Sequence, residues 1–320
     1  MPTVFGTERE RVVRHFLGQN DLSSIEIECI FDRAGVMKRD KISRVMAGRS
    51  LVMFFEKAST RTRLSFEIGM AQMGGQAVYL DRESSQLSRG ESIPDTVRVV
   101  SRYADLIMAR VFLHDTVVGL AEYSSIPVIN GLSDDEHPCQ SLADLFTIAE
   151  CRGKVRGTRV SYVGDGDNNV THSLMLGATR LGAHVTVASP PELQPQKRYV
   201  DLAELNALRS GGSVRVLTDP VEAARGAEVL YADVWVSMGR EADRQYRIDL
   251  LRKYQVNAAL MQTADPECIF MHCLPAHIGE EVTADVAYGP QSVIFDQAEN
   301  RLHVQKALME FLLLGTEGGA

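Results

Sequence analysis

The sequence predicts an α/β protein with two doubly wound domains, each with a central parallel sheet flanked by helices. The chain has 320 residues, enough for about two domains of ordinary size. In both halves, short apolar, β-branched segments alternate with longer amphipathic ones, which is typical of βαβ units and a parallel sheet. We expect a first domain over residues 1–150, a second over 151–300, and a C-terminal helix in 301–320 that packs back on the first domain.

The first half is expected to open with a helix that has Asp21 or Ser23 as its N-cap, in the segment DLSSIEIECIFDRAGVMK. Four strands follow it. Leu64, Ile68 and Ala71 mark one face of a helix after the first strand, and IPDTVRVVSRY and QSLADLFTIAECRG give two more helices. The predicted strands are LVMFF (51–55), QAVYL (76–80), LIMARV (106–111) and IPVIN (126–130).

The segment CRGKVRGT is interpreted as a linker, after which the alternation resumes. A helix over VTHSLMLGATRLG is closed by Gly182, and a second has Asp219 as its cap and Pro220 at its first position. The long segment AENRLHVQKALMEFLLL predicts the C-terminal helix. The strands of this half are predicted in TRVSYVG, HVTVAS, VRVL, EVLYADVW and ECIFMHC.

Composition narrows the class of protein. Hydrophobic residues make up 45% and charged residues 24%, as in soluble globular proteins, and the net charge of −8 argues against nucleic acid or acidic membrane as a partner. Five scattered cysteines without a C-x-x-C pair predict neither a disulfide framework nor a zinc site. The N-terminal segment lacks the pattern of a signal peptide, and no apolar run approaches the ~20 residues of a membrane span. We therefore expect a cytoplasmic protein.

The segment STRTR, which begins at Ser59, follows the first strand and opens a helix. Arg61 and Arg63 stand in the first helical turn, where the helix dipole disfavours positive charge. Backbone N–H groups, the Arg61 guanidinium and the hydroxyls of Ser59, Thr60 and Thr62 can converge there on one anion. An ordinary helix cap is the alternative for any single hydroxyl, and Arg63 can instead pair with a structural carboxylate. The motif predicts a phosphate or carboxylate site.

Other strand ends also carry polar side chains. In HPCQ, His137 and Gln140 lie one helical turn apart, and His137 can donate to a carbonyl oxygen on which charge develops. The loop GDGDNN has Asn169 where a dinucleotide-binding fingerprint needs its third glycine, which weakens a nicotinamide-binding interpretation. Asp233 in DVWVSMG suits a ligand ammonium. Cys273 in HCLP stands at a strand tip, where a small buried residue is the structural alternative.

Together these segments resemble the aspartate/ornithine carbamoyltransferase family, and within it the ornithine-specific members. The resemblance covers nearly the whole chain and is carried by FEKASTRTRLSFE, SQLSRGESIPDTVRVVSRY, HPCQSLADL, DVWVSMG, MHCLPAH and DQAENRLHVQKAL. It implies transfer of a carbamoyl group from carbamoyl phosphate to the δ-amine of L-ornithine, giving L-citrulline and phosphate in arginine metabolism. It further implies that no cofactor or metal is needed, and that the chain forms a homotrimer with shared active sites.

The resemblance also assigns residues. Arg110, His137, Cys273 and Asp233 are implied as the catalytic residues, and Gln86 is expected to reach the site of a neighbouring subunit. The implied ligands of ornithine are Asn169, Asp233, Ser237 and Met238. Those of carbamoyl phosphate are Ser59, Thr60, Arg61, Thr62, Gln86, Arg110, His137, Gln140, Cys273, Leu274 and Arg301.

Several alternatives stay open at this stage. An aspartate-specific relative is expected to carry HPLP in place of HCLP, whereas relatives that use putrescine or an N-acylornithine differ only in a few acceptor contacts. A catalytically silent binding paralogue and a nicotinamide oxidoreductase are the alternatives from other classes. The sequence leaves open whether Asn168 or Asn169 meets ornithine, because Asp167 lengthens that loop. It also leaves open which group deprotonates the attacking amine, whether the enzyme is biosynthetic or catabolic, and whether trimers assemble further.

Overall fold

The structure, a computed structural model, describes residues 13–82, 86, 90–236 and 241–315. Its first sheet has four parallel strands in the order β2-β1-β3-β4. All but the first residue of β1 are buried, as expected for a parallel strand covered by helices on both faces. The strands are β1 (Ser50–Phe55), β2 (Gln76–Asp81), β3 (Leu106–Arg110) and β4 (Val128–Leu132), and the helices are α1 (Ser24–Arg39), α2 (Thr60–Gln72), α3 (Ile93–Val100), α4 (His114–Glu122) and α5 (Pro138–Arg152).

The second sheet has five parallel strands in the order β7-β6-β5-β8-β9. In both sheets the strand order reverses beside the first strand of the unit, so the predicted pair of doubly wound sheets is confirmed. The strands are β5 (Arg159–Val163), β6 (His184–Ala188), β7 (Ser213–Leu217), β8 (Val229–Ala232) and β9 (Ile269–His272), and the helices are α6 (Asn169–Arg180), α7 (Lys197–Ser210), α8 (Pro220–Ala224), α9 (Arg244–Leu251), α10 (Ala258–Met261) and α11 (Ala284–Ala287).

Local sequence signals account for several element ends. Ser23 caps α1 in a capping box with Glu26, and Asp219 accepts the backbone N–H of Val221 at the start of α8. Several predicted strand bounds differ from the structure, among them those of β4 and β8. Strand β4 begins at Val128 because Pro127, the preceding residue, has no N–H for the ladder. Strand β8 ends at Ala232, which leaves Asp233 in the loop that follows.

The C-terminal helix α12 (Ile294–Leu314) packs against α1, α2 and α5 of the first unit, as predicted. It begins at Ile294, before the predicted segment 301–320, and ends at Leu314. Glu310 pairs with Arg33 at 2.9 Å, and the buried Lys306 donates to the backbone oxygen of Lys41 at 2.8 Å. These contacts fix one face of α12 against the first unit. The division of the chain at residues 150 and 300 stays a prediction.

The largest apolar cluster of the described residues joins the two sheets, and each unit has a smaller cluster of its own. The shared cluster runs from Phe55 and Leu145 in the first unit to Met175 and Tyr231 in the second, with α5 packed against α6. Burial of this size is the main favourable term in folding, so the two units are held together by the same effect that stabilises each. Among the residues that the structure describes, no helix combines the length and apolarity needed to cross a membrane.

Candidate active site

The start of α2 carries the STRTR motif at the carboxyl edge of the first sheet. The Ser59 hydroxyl accepts the backbone N–H of Thr62 at 3.3 Å, so Ser59 is the N-cap. The Arg61 guanidinium reaches across to the second unit and donates to the backbone oxygen of Leu274 at 2.6 Å. Arg63 instead pairs with Glu67 at 3.0 Å and lies over the Tyr79 ring at 4.1 Å. The two arginines of the motif therefore have different roles, and Arg63 has the structural carboxylate partner considered from the sequence.

Arg110 and Arg301 join Arg61 to form an arginine cluster. Arg110 is the last residue of β3, in register with Phe55 of β1, and is only 7% exposed. Arg301 of α12 is 4% exposed and donates to Gln140 Oε1 at 2.6 Å and to Thr62 Oγ1 at 3.4 Å.

Among the described residues, no carboxylate is in direct contact with the two buried arginines of this cluster; Asp144 reaches Arg301 only through Gln140. Within the described part of the chain, neither Arg110 nor Arg301 forms an ion pair, and Arg110 Nε has no hydrogen-bond partner. Burial and the positive charges of Arg301 and Arg61 lower the pKa of Arg110 to about 10. The guanidinium remains charged at neutral pH. Buried cations without an anionic partner carry a large desolvation penalty, so their arrangement favours an anionic ligand.

His137 and Gln140 stand where α5 begins, beside the arginine cluster. His137 is 6% exposed, and its backbone N–H donates to Ser173 Oγ of α6 at 2.9 Å. Burial, followed by the charges of the three clustered arginines, lowers the pKa of His137 well below its usual value. The imidazole is therefore neutral at physiological pH and can offer one N–H donor without adding charge. Its Nδ1 has no partner among the described residues.

The buried Asp233 and the half-buried Cys273 form a pair at the carboxyl edge of the second sheet. Asp233 follows β8 and Cys273 follows β9, and the thiol donates to Asp233 Oδ1 at 2.9 Å. The same oxygen accepts the backbone N–H of Val234 at 2.8 Å. Burial and then the Asp233 carboxylate raise the pKa of Cys273 well above its usual value. Cys273 is therefore a thiol donor at neutral pH, a state unsuited to nucleophilic attack.

The loop before α6 presents one asparagine and uses the other as a cap. Asn168 Oδ1 accepts the backbone N–H of Thr171 at 2.8 Å, and its amide donates to the Tyr162 hydroxyl at 2.8 Å. Asn169 is half-buried and its amide donates to the Ser133 backbone oxygen at 2.5 Å. Because the amide and carbonyl of Asn168 are already used inside the protein, the geometry favours Asn169 as a ligand residue.

Leu274 links the two halves through its backbone. It adopts φ +60°, a left-handed conformation that is uncommon for a non-glycine residue and is enriched at functional sites. Its N–H donates to His272 Nδ1 at 2.9 Å, and His272 Nε2 lies 3.2 Å from Glu281 Oε1. The Leu274 carbonyl is thereby aimed at the first unit, where Arg61 meets it.

Four further residues complete the set of predicted ligands: Thr60, Gln86, Ser237 and Met238. Thr60 and Gln86 are exposed, and the backbone oxygen of Gln86 accepts the N–H of Glu91 at 3.2 Å. Ser237 and Met238 lie outside the described residues.

Comparison with known proteins follows the same division of the chain. Residues 14–150 match the model "Aspartate/ornithine carbamoyltransferase, carbamoyl-P binding domain", and residues 156–312 match the "Asp/Orn binding domain" of the same family. The chain belongs to the aspartate/ornithine carbamoyltransferase family. The site residues from Ser59 to Gln140 fall within the first of these domains, and those from Asn169 to Arg301 fall within the second.

Individual relatives agree with this assignment. The chain is 53% identical over 306 residues to an ornithine carbamoyltransferase of Thermococcus kodakarensis, covering 94% of this chain and 97% of the relative. The ornithine carbamoyltransferase structure from Pyrococcus furiosus is 52% identical with a TM-score of 0.91, covering 94% and 97%. A structure of acetylornithine transcarbamylase with acetylcitrulline is 32% identical with a TM-score of 0.86, covering 94% and 99%.

Two buried polar residues beside the site of this carbamoyltransferase family member were not predicted from the sequence. Asp144 accepts the amide of Gln140 at 2.8 Å, and Gln297 donates to Asp144 at 2.7 Å. A sequence signal for Asp144 exists: it is a charged residue inside the apolar turn LADLF, four positions after Gln140. Gln297 lies in the first turns of α12 and has no comparable signal.

Proposed function

We propose that this protein transfers the carbamoyl group of carbamoyl phosphate to the δ-amine of L-ornithine, giving L-citrulline and phosphate. Membership of the family and the high identity to ornithine carbamoyltransferases support this reaction. The observation that carries the proposal is the pair of buried arginines, Arg110 and Arg301, which have no carboxylate partner in the described part of the chain. They stand beside the N-terminus of α2. Buried cations together with a helix N-terminus suit a phosphorylated, carbonyl-containing substrate.

The phosphate of carbamoyl phosphate is assigned to the start of α2. Backbone N–H groups, the hydroxyls of Ser59, Thr60 and Thr62, and the Arg61 guanidinium supply the donors, each charge-assisted bond contributing about 1.5–3 kcal/mol. Phosphate leaves as an anion, so donors held at the positive end of the helix stabilise the leaving group as its charge grows.

The carbamoyl end is assigned to Arg110, His137 and Gln140, with Arg301 holding Gln140. Attack on the carbonyl carbon moves electrons onto its oxygen, and donors fixed before the reaction stabilise that oxyanion. Neutral His137 contributes a donor without adding to the repulsion among the arginines. The Leu274 carbonyl, aimed across the cleft, is suited to accept a carbamoyl N–H.

Ornithine is assigned to Asn169, Asp233, Ser237 and Met238, with Cys273 beside the attacking amine. The amine attacks as its neutral form, the C–N bond forms, and the C–O bond to phosphate breaks as the tetrahedral intermediate collapses. The Asp233 carboxylate, held by the Cys273 thiol and the Val234 N–H, is suited to orient an ornithine ammonium group. Cys273 supplies a donor and stays uncharged throughout.

A panel of acceptors tests the proposal. Purified protein is given carbamoyl phosphate with ornithine, putrescine, N-acetylornithine or aspartate in turn, and the carbamoylated product is measured. We expect ornithine to give the highest kcat/KM by at least tenfold. A higher kcat/KM with one of the other three amines would assign the chain to that acceptor, and no product with any acceptor would favour a silent paralogue.

We also propose that the working form is a homotrimer with Gln86 reaching a neighbouring site. The flank of the first sheet supports an interface there: edge strand β2 and the adjacent face of α2 expose Val78, Leu64 and Ile68, which are 45%, 47% and 44% exposed. Apolar side chains grouped at a sheet edge mark association surfaces.

Mixing two inactive variants tests this sharing. If Arg61 and Gln86 of one site come from different subunits, an equal mixture of refolded Arg61→Ala and Gln86→Ala chains regains about a quarter of the wild-type sites by random assembly. A mixture no more active than its components would place Gln86 in its own subunit's site or outside any site.

A cytoplasmic location is proposed as well, since all five cysteines are free thiols.

A further inference from the structure

A chain of buried hydrogen bonds joins the two halves of the site behind the substrate-facing residues. Its centre is Asp144, on the second turn of α5 and completely buried. Asp144 Oδ1 accepts the amides of Gln140 at 2.8 Å and Gln297 at 2.7 Å, and Oδ2 accepts the Tyr231 hydroxyl at 3.0 Å. Three donors from three elements, α5, α12 and β8, therefore meet on one carboxylate.

Both ends of this chain lie at substrate-facing positions. On one side, Gln140 accepts Arg301 Nη1 at 2.6 Å, within the arginine cluster. On the other side, Gln297 Oε1 accepts the backbone N–H of His272 at 2.9 Å. His272 directly precedes Cys273 and Leu274, so a shift of Gln297 moves the backbone that carries them.

We propose that Asp144 and Gln297 are positioning residues that couple occupation of the carbamoyl phosphate half to ornithine affinity. This inference rests on the proposed function. A ligand that binds Arg301 and Gln140 holds Gln140, one of the donors to Asp144, in place. Gln297 donates to the same Oδ1, so its position depends on that of Gln140. The His272 backbone follows, because its N–H donates to Gln297. Because both amides share Oδ1, a shift of Gln140 towards its ligand repositions Gln297 and the His272 backbone, so that binding in one half changes the affinity of the other half.

The chemistry of the chain suits this role. All four residues of its core, Gln140, Asp144, Tyr231 and Gln297, are 2% exposed or less, so water does not compete for their bonds. The central bonds are 2.7–3.0 Å and end on a carboxylate, the stronger class of hydrogen bond. Gln297 Nε2 also lies 3.2 Å from the Tyr231 hydroxyl, which holds its amide in one orientation.

The experiment measures binding coupling with norvaline, an ornithine lacking the δ-amine, as an unreactive probe. Norvaline Kd is measured by calorimetry with and without carbamoyl phosphate, and the ratio is the coupling factor. In the wild type we expect a factor of at least about 5, the lower end of common allosteric coupling. In Asp144→Asn, which keeps the size of the side chain and removes its charge, the factor should fall below about 2.

Gln297→Met separates the two ends and guards against a folding failure of the first variant. It cuts the bond to the His272 N–H but leaves Asp144 bound to Gln140. Carbamoyl phosphate should therefore bind alone within about twofold of wild type, while the coupling factor is lost. A factor unchanged within twofold in either folded variant would overturn the proposal.

Thr147→Val is the matched control. Thr147 lies on the same helix, is completely buried, and accepts the Asn300 amide of α12 at 2.9 Å, but reaches neither half of the site. The Thr147→Val protein should be less stable than the wild type and keep its coupling factor. Loss of coupling in this variant too would mean that a general loosening of the α5–α12 contact explains the loss in the other variants. If the wild type forms citrulline but shows no coupling, this inference alone fails. If it forms no citrulline, the proposed function fails first.

Discussion

Replacing Arg110 by methionine should stabilise the ligand-free protein while disabling it. Methionine keeps an apolar stem of similar length and removes a charge that is buried without a carboxylate partner in the described chain. The pKa of Arg110 falls from 12.5 to about 10, and at 1.36 kcal/mol per pKa unit this corresponds to an electrostatic penalty of about 3 kcal/mol at neutral pH. Lost packing offsets part of that gain, so we expect the free energy of unfolding to rise by about 1–2 kcal/mol.

The functional cost should be much larger. Loss of one oxyanion donor typically lowers kcat by about 10²–10³, and phosphate should stabilise the variant less than the wild type because one cation is missing. Urea unfolding at equal protein concentration, with and without phosphate, measures the first effect, and steady-state citrulline formation measures the second. Arg63→Met is the control: Arg63 is exposed and its Glu67 pair should contribute less than about 1 kcal/mol. A less stable Arg110→Met protein with activity within tenfold of wild type would refute the reasoning.

Three further predictions concern titrating groups. Burial raises the pKa of Glu136 to about 7, so the folded protein holds an extra proton between about pH 4.5 and 7 and the contribution of Glu136 to stability falls as pH rises through that range. The difference in free energy of unfolding between wild type and Glu136→Gln should therefore change with pH over this range, and equal pH slopes in both proteins would contradict it. Because the pKa of His137 is lowered, the contribution of His137 has the opposite sign: it falls as pH drops below about 6.5, and His137→Gln should lose less stability than the wild type on acidification in urea unfolding. Cys273→Ser keeps a donor to Asp233 and should retain more kcat/KM for ornithine than Cys273→Ala. The Cys273 thiol should also be alkylated more slowly than that of the exposed Cys29. Equal losses of kcat/KM or equal alkylation rates would argue against the thiol-donor role.

Strand-end reasoning predicts much of this site from the sequence. Ser59 as a cap and His137 before α5 follow from placing motifs where parallel strands end, because those ends share one edge of a sheet. Asp233 differs, since the predicted strand EVLYADVW contains it whereas β8 ends before it. The Arg63–Glu67 ion pair is also predictable from the sequence, because the two residues lie four positions apart on a helix. The contact of Arg63 with Tyr79 requires knowing that α2 packs on β2, which local sequence does not contain.

The partners within the buried polar chain could not be predicted for the same reason. A charged residue inside the apolar segment LADLF marks Asp144, but its bond to Gln297 forms because α12 returns over α5, a contact between residues more than 150 positions apart. Local sequence therefore does not identify Gln297 as the partner of Asp144. Asn168 and Asn169 show a different limit of prediction. Local geometry identifies Asn168 as the helix cap and leaves Asn169 as the ligand candidate, but only once the exact start of α6 is known.

The most direct measurement of the central claim follows both products in one reaction. Carbamoyl phosphate labelled with ¹³C at the carbonyl is mixed with ornithine and the protein, and citrulline and phosphate are quantified by ¹³C and ³¹P NMR. The account predicts equal amounts of labelled citrulline and phosphate, formed far faster than with Arg110→Met. Phosphate release without labelled citrulline, or no reaction above the uncatalysed rate, would contradict it.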